Sequence, residues 1–188
     1  MTLRIVGGRH RGRLLQAPFD DRLRPTASRA REAAFNILLH GAPAEARALQ
    51  DAVVLDAFAG TGALGLEALS RGAARATFIE KDRAVLDLLR LNADRLGETA
   101  RTHIIAGDAT RPPPAPQPAD IVFLDPPYGE GLVDAALAAL SAAGWIAGGT
   151  VVMVESAVKD AFVAPAGFVL LDERRYGKAA ISFLLFQR

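Results

Sequence analysis

A chain of 188 residues with 51% hydrophobic and 23% charged residues is long enough to bury one sizeable core, and its net charge is only +1. It contains no cysteine, which excludes disulfides, thiolate metal sites and a cysteine nucleophile, and accords with a reducing cytoplasm. The opening MTLRIVGGRHRG has no apolar stretch of the kind a secretory signal needs, so a cytoplasmic protein without a metal site is expected.

The charge is unevenly placed. Residues 1–31 carry eight arginines against Asp20 and Asp21 alone. A basic arm on a near-neutral body suits a polyanion, because each arginine that neutralises a phosphate releases counterions. Within this arm, LRIVGGRHRGRLLQAP reads as a small β-hairpin around Gly7, Gly8 and Gly12. RPTASRAREAAFNILLH then has apolar residues at Ala30, Ala33, Ala34, Ile37 and Leu38, a helical spacing, with Thr26 or Ser28 as the candidate N-cap. We divide the chain into an N-terminal extension, 1–40, and a main domain, 41–188.

From Asp51 onward strand and helix take turns: AVVLDAF, ALGLEALSRG, ARATFIE, DRAVLDLLRLNADRLG, RTHIIAGD, a proline-rich loop, ADIVFLD, GLVDAALAALSAAG and TVVMVES. That alternation predicts a parallel sheet covered on both faces. The uncharged part of residues 135–154 is broken by Ser141, Gly144, Gly148, Gly149 and Thr150, so it reads as helix, turn and strand rather than a membrane span. The last segment, GFVLLDERRYGKAAISFLLFQR, holds two strands too close together for a helical crossover, which predicts an antiparallel hairpin.

Two motifs carry chemistry. Gly60, Gly62 and Gly65 stand in G-x-G-x-x-G spacing between a strand and a helix, and Glu80 ends the next strand twenty positions on. Glycines there let a ligand lie against the main chain, and the acid can accept hydrogen bonds from ribose hydroxyls, which points to an adenosine-type cofactor. Both NAD and S-adenosylmethionine satisfy this pattern. Asp108, closing IIAGD, could meet an adenine amino group or simply cap a turn; Asp56 could orient a methionine amino group or cap the glycine turn.

The second motif is DPPY, Asp125 to Tyr128, at the end of the strand ADIVFLD. Such a tetrad arises by chance in about one chain in a thousand of this length, and here it falls on the sheet edge where ligands bind. An exocyclic amino group of guanine, adenine or cytosine is a poor nucleophile, because its lone pair is delocalised into the ring. If the Asp125 carboxylate and the Pro126 carbonyl accept its two hydrogens, the nitrogen is drawn toward a tetrahedral shape. The fixed φ of Pro126 and Pro127 holds these acceptors in place beforehand, and Tyr128 offers a face for base stacking. A dehydrogenase leaves DPPY and the closing hairpin without a role; a methyltransferase uses both. The absence of a thiol disfavours methylation at pyrimidine carbon 5 and leaves an amino nitrogen as acceptor.

The collinear stretches RIVGGRHRGRLL, LRPTASRAREAAFNIL, LDAFAGTGALGLEALSRGA, FIEKD and FLDPPY resemble the RsmD family, the bacterial 16S ribosomal RNA guanine-N2 methyltransferases. The resemblance implies a class I S-adenosylmethionine-dependent methyltransferase fold of Rossmann-like type: seven strands, mostly parallel, with a C-terminal antiparallel hairpin and a small N-terminal hairpin and helix. It implies that Asp56, Phe58, Ala59, Gly60, Thr61, Gly62, Glu80 and Lys81 hold S-adenosyl-L-methionine. Asp108 and Ala109 would lie near its adenine, and Asp125 would border it as well. Asp125, Pro126, Pro127 and Tyr128 would hold the base, and Arg4, Arg9, His10, Arg11, Arg13 and Arg24 would meet RNA. The implied partner is 16S ribosomal RNA within an assembled or assembling small subunit, met by a monomer. Adenine-N6 or cytosine-N4 transfer, and a non-catalytic RNA-binding module, are the alternatives. Where the family usually has an acid, this chain has Ser28, and a five-proline loop, 111–120, replaces a short helical segment.

Overall fold

The computed structural model describes residues 3–17, 26–127, 129, 131–159 and 163–187, with only the backbone at 26–28. The strands are β1 (Val53–Asp56), β2 (Arg75–Glu80), β3 (Thr102–Ala106), β4 (Ile121–Leu124), β5 (Val151–Ala157), β6 (Phe168–Tyr176) and β7 (Ala179–Phe186). The helices are α1 (Thr26–His40), α2 (Ala42–Ala46), α3 (Ala63–Ser70), α4 (Arg83–Leu96) and α5 (Leu132–Ala142).

The strands form one seven-stranded sheet in the order β3-β2-β1-β4-β5-β7-β6. β1 to β5 run parallel, and β7 enters antiparallel between β5 and β6. The parallel sheet and the closing hairpin expected from the sequence are both present. The order reverses between β1 and β4, which opens a crevice at the C-terminal ends of those two strands.

Alternation sorts the strand residues between two cores. Val54, Ile121, Phe123, Val151 and Met153 pack with residues of α1, α3 and α4, whereas Leu55, Val122, Leu124, Val152 and Val154 pack with α5, Trp145 and Ile146. On the second face the proline-rich loop covers the sheet without a helix; Trp145 Nε1 donates to the Pro113 carbonyl at 2.8 Å, and Ala115 and Ala119 join that core. α4 is closed at both ends by its own sequence. Asp82 Oδ1 accepts from the Ala84 N–H at its start, and Gly97 takes a left-handed conformation at its end.

The expected small N-terminal hairpin is present: Arg4 bridges Leu14 antiparallel, the Ile5 N–H donates to the Arg13 carbonyl and the Leu15 N–H to the Leu3 carbonyl, both at 2.9 Å, and Gly8–His10 forms a 3-10 turn between the two segments. The predicted helix is α1, and the N-cap candidates Thr26 and Ser28 both lie within its span. The short α2, opened by Pro43, has too few residues to show an apolar period and was not anticipated.

The arm is fastened to the body by polar clusters. Glu67 of α3, 0% exposed, accepts from the Val6 N–H at 2.8 Å and from Arg71 Nε at 2.7 Å, and lies 3.8 Å from Arg31 Nε. Glu98, 2% exposed, meets Arg9, His10 and Arg101 together. Ile5 and Leu15 of the arm are buried in the same core as α3.

Candidate active site

The C-terminal ends of β1, β2, β3 and β4 converge on the crevice, and the loop after β1 forms its floor. That loop is clamped from both sides: the Ala57 N–H donates to the Phe123 carbonyl of β4 at 3.0 Å, and the Ala59 N–H to the Ile79 carbonyl of β2 at 3.1 Å. Phe58 is half-buried, while Ala59 and Thr61 are buried.

The three glycines serve different ends. Gly60 has φ +52, and a Cβ there would meet nothing within 4 Å, so it faces open space. Gly62 has φ +83, and a Cβ would come within 2.2 Å of Leu89 Cδ1. Gly65 has ordinary backbone, but a Cβ would strike Phe78 Cε1 at 2.3 Å. Gly60 therefore keeps the main chain bare, Gly62 makes the turn, and Gly65 lets α3 lie close on β2.

Asp56 is buried beneath this loop, 1% exposed. Its Oδ2 accepts from the Gly65 N–H at 2.9 Å; its Oδ1 is buried with no hydrogen-bond partner among the described residues. Burial raises its pKa to about 7, against the pull of the Gly65 hydrogen bond and with help from the Glu80 charge. Glu80 at the end of β2 accepts from the Gly60 N–H through Oε2 and from the Asp82 N–H through Oε1, both at 2.8 Å. It thus braces the loop whose glycines it was expected to accompany. Lys81 beside it is exposed.

Asp108 lies two residues past the end of β3 rather than on it. Its Oδ1 accepts from the Thr110 N–H at 2.8 Å and from Thr110 Oγ1 at 2.7 Å. These bonds, with lesser help from Lys81 and Arg111, hold its carboxyl below the usual carboxylate range. Ala109 next to it is buried.

Across the crevice, β4 ends at Leu124 and Asp125 is exposed at its mouth, with Pro126 buried and Pro127 exposed. Tyr128 lies outside the described residues. Gly129 and Gly131, at φ +81 and +63, turn the chain into α5. β1 pairs with β4 so that Asp56 is opposite Phe123, which sets Asp125 two residues beyond the level of Asp56. Asp56, Glu80, Asp108 and Asp125 thus stand on four neighbouring strand ends around one crevice.

The arm residues divide. Arg4, Arg11 and Arg13 are exposed, and Arg13 Nη2 also donates to the Arg95 carbonyl at 2.8 Å. Arg9 and His10 are held by Glu98, and Arg24 lies outside the described residues. One connection escaped the sequence. Asn92 of α4, fully buried, donates through Nδ2 to the carbonyls of Gln16 and Thr61, both at 3.0 Å, and accepts from the Gln16 N–H at 2.7 Å. A single amide joins the arm to the glycine loop. Its polar identity at an inward position of α4 is the signal that could have found it.

A doubly wound sheet that closes in an antiparallel β6–β7 hairpin, with a glycine loop and a DPP segment on adjoining strand ends, defines a class I methyltransferase fold. The family described as conserved hypothetical protein 95 matches residues 3–185. The chain is 41% identical over 194 residues to ribosomal RNA small subunit methyltransferase D of Escherichia coli strain K12, covering 99% of this chain and 90% of that one. It is 32% identical to the protein of the same name from Haemophilus influenzae, covering 98% and 93%. Among solved structures, a methyltransferase from Escherichia coli superposes with a TM-score of 0.83 at 37% identity, covering 100% of this chain and 99% of that one. The chain belongs to the RsmD family and is a methyltransferase.

Proposed function

We propose that this enzyme methylates the exocyclic N2 of one guanine in 16S ribosomal RNA, using S-adenosyl-L-methionine. The observation that carries the reading is Asp125, exposed at the mouth of β4 beside the glycine-floored crevice. The names of the relatives, ribosomal RNA small subunit methyltransferases, support the choice of RNA.

The residues present fit that cofactor. Gly60 leaves open space where a Cβ would project, and the buried Oδ1 of Asp56 awaits a donor such as an amino group. Glu80 keeps lone pairs for ribose hydroxyls while it braces Gly60, and Asp108 with Ala109 borders the adenine side. Phe58, Ala59, Thr61, Gly62 and Lys81 complete the wall. When bound, the cofactor supplies an electrophilic methyl carbon on a sulfonium.

The chain's own part is alignment and proton handling. The Asp125 carboxylate and the Pro126 carbonyl accept the two amino hydrogens and turn the nitrogen lone pair out of the ring plane. Asp125 is then the acceptor for the proton that the alkylated nitrogen must lose. Pro127 stiffens the segment and Tyr128 stacks on the base. Arg4, Arg11, Arg13 and Arg24 meet phosphates, while Arg9 and His10 set the arm's shape through Glu98. In this reading residues 1–40 are the RNA-facing extension and 41–188 the catalytic domain. The enzyme acts as a cytoplasmic monomer on the assembled or assembling subunit.

Asp125→Ala should abolish methyl transfer to 16S RNA while the affinity for S-adenosylhomocysteine, measured by calorimetry, stays near the wild-type value. A variant that still methylates at a near-normal rate removes Asp125 from the chemistry. Digestion of labelled product to nucleosides should yield N2-methylguanosine; N6-methyladenosine or N4-methylcytidine would reject the guanine reading.

A further inference from the structure

Asp125 has a neighbour across the sheet. β4 and β5 pair in parallel up to Leu124 opposite Val154, so the next residue of β5, Glu155, stands beside the first residue of the DPP segment. Alternation fixes its face. Val151 and Met153 belong to the core of α1 and α3, Val152 and Val154 to that of α5, and Glu155 therefore falls on the face of Met153. Its antiparallel partner on β7, Ile181, lies in that same first core and confirms the side. The Asp56 carboxylate, bonded to α3, projects from this face as well. Along β5, Glu155 alone is half-buried, between strand positions that are all buried.

Two carboxylates thus stand level on adjacent strands, Asp125 just past the end of β4 and Glu155 within β5, which runs on to Ala157. Both are engaged within the free protein, so base binding exchanges their contacts rather than filling a gap. The bases that carry amino groups differ in what stands beside that group. Guanine offers a second donor, N1–H, next to its N2 amine; adenine and cytosine offer a ring-nitrogen lone pair next to theirs. With the amine met by Asp125 and the Pro126 carbonyl, a second acceptor beside Asp125 on the adjoining strand matches guanine and opposes the other two.

We propose that Glu155 accepts the N1–H of the target guanine and thereby selects guanine over the other amino-bearing bases. The inference rests on the guanine reading above. It assigns Glu155 a contact with substrate that governs specificity, not the aiming of the amine, which stays with Asp125.

The test uses the full-length enzyme and a small-subunit RNA whose modified position has been mapped with the wild type. In one preparation that position is guanine; in the other it is 2-aminopurine, which keeps the 2-amino group but has a lone pair at N1. The wild type should favour guanine in kcat/KM by at least about tenfold, since a hydrogen bond to a charged acceptor is lost and a repulsion gained. In Glu155→Gln, whose amide can donate to N1, the ratio should shrink by about tenfold or more, with S-adenosylhomocysteine affinity and melting temperature unchanged. Glu155→Asp, which keeps the charge on a shorter stem, should lower kcat/KM for guanine yet preserve the preference, which tests the idea even if the glutamine variant folds poorly. An unchanged guanine to 2-aminopurine ratio in Glu155→Gln overturns the assignment. A wild-type product other than N2-methylguanosine overturns the guanine reading on which it rests, and the two failures are told apart by the nucleoside analysis.

Discussion

At Asp56 two demands oppose each other. One oxygen must stay to hold the start of α3, yet the whole carboxyl is taken out of water close to the charge of Glu80. Its pKa rises from 3.8 to about 7, so between those values the folded protein binds a proton that the unfolded chain has released. Its contribution to stability is fully present below the lower value and is lost as pH rises through the upper one. Asp56→Asn keeps an acceptor for the Gly65 N–H and carries no charge. Relative to wild type, its stability should therefore climb between about pH 4 and pH 8, by at most about 4 kcal/mol and thus by several degrees in Tm. Parallel Tm curves across that range would show that Asp56 is not the titrating group. The DPPY tetrad itself was plain in the sequence, because its four residues are contiguous. The role of Asp56 as a helix-start acceptor was open, because nothing local says whether Gly65 turns its N–H toward it.

Among the elements, the glycine loop with α3 gives the clearest contrast. Gly60→Ala adds a methyl group where nothing stands, so it should cost folding only the left-handed strain, about 1 to 2 kcal/mol, while occupying the space that the proposed function gives to the cofactor. Gly62→Ala adds the same strain and drives a methyl group into Leu89. The expected pattern is a large loss of S-adenosylhomocysteine affinity with modest destabilisation for Gly60→Ala, and a larger loss of stability for Gly62→Ala, read by calorimetry and urea denaturation. Equal effects on both measurements in both variants would refute the division of labour. The strands and long helices of the main sheet were legible, since their apolar periods of two and 3.6 differ over several residues. The N-terminal hairpin was legible too, but the 3-10 turn at its tip was not, because the form of a glycine-rich tip depends on what it docks against. Here the Ser70 hydroxyl donates to the Gly7 carbonyl and accepts from the His10 N–H, contacts sixty or more positions away in the chain.

For the whole molecule, a net charge of +1 gives no general attraction to RNA, so binding should depend on where the arginines sit. Replacing Arg11 and Arg13 with alanine should weaken RNA binding and flatten its dependence on the logarithm of salt concentration by about 1.5 to 2 units, one increment per lost phosphate contact. A filter-binding series at several salt concentrations that leaves the slope unchanged would place the RNA elsewhere. Glu67 and Glu98 were illegible as organisers of the arm, because their partners at Val6, Arg9 and His10 are about sixty to ninety positions distant and a single sequence carries no record of such pairings.

The docking of Ile5 and Val6 onto α3 has a further bearing on how such a protein can change. A module strung on a linker can be lost, exchanged or grafted at little cost, but this arm supplies a wall of the interior, and its removal would bare both an apolar surface and the buried acid of Glu67. The outward arginines can therefore vary in place, while the inward half of the same short segment stays tied to the rest of the protein.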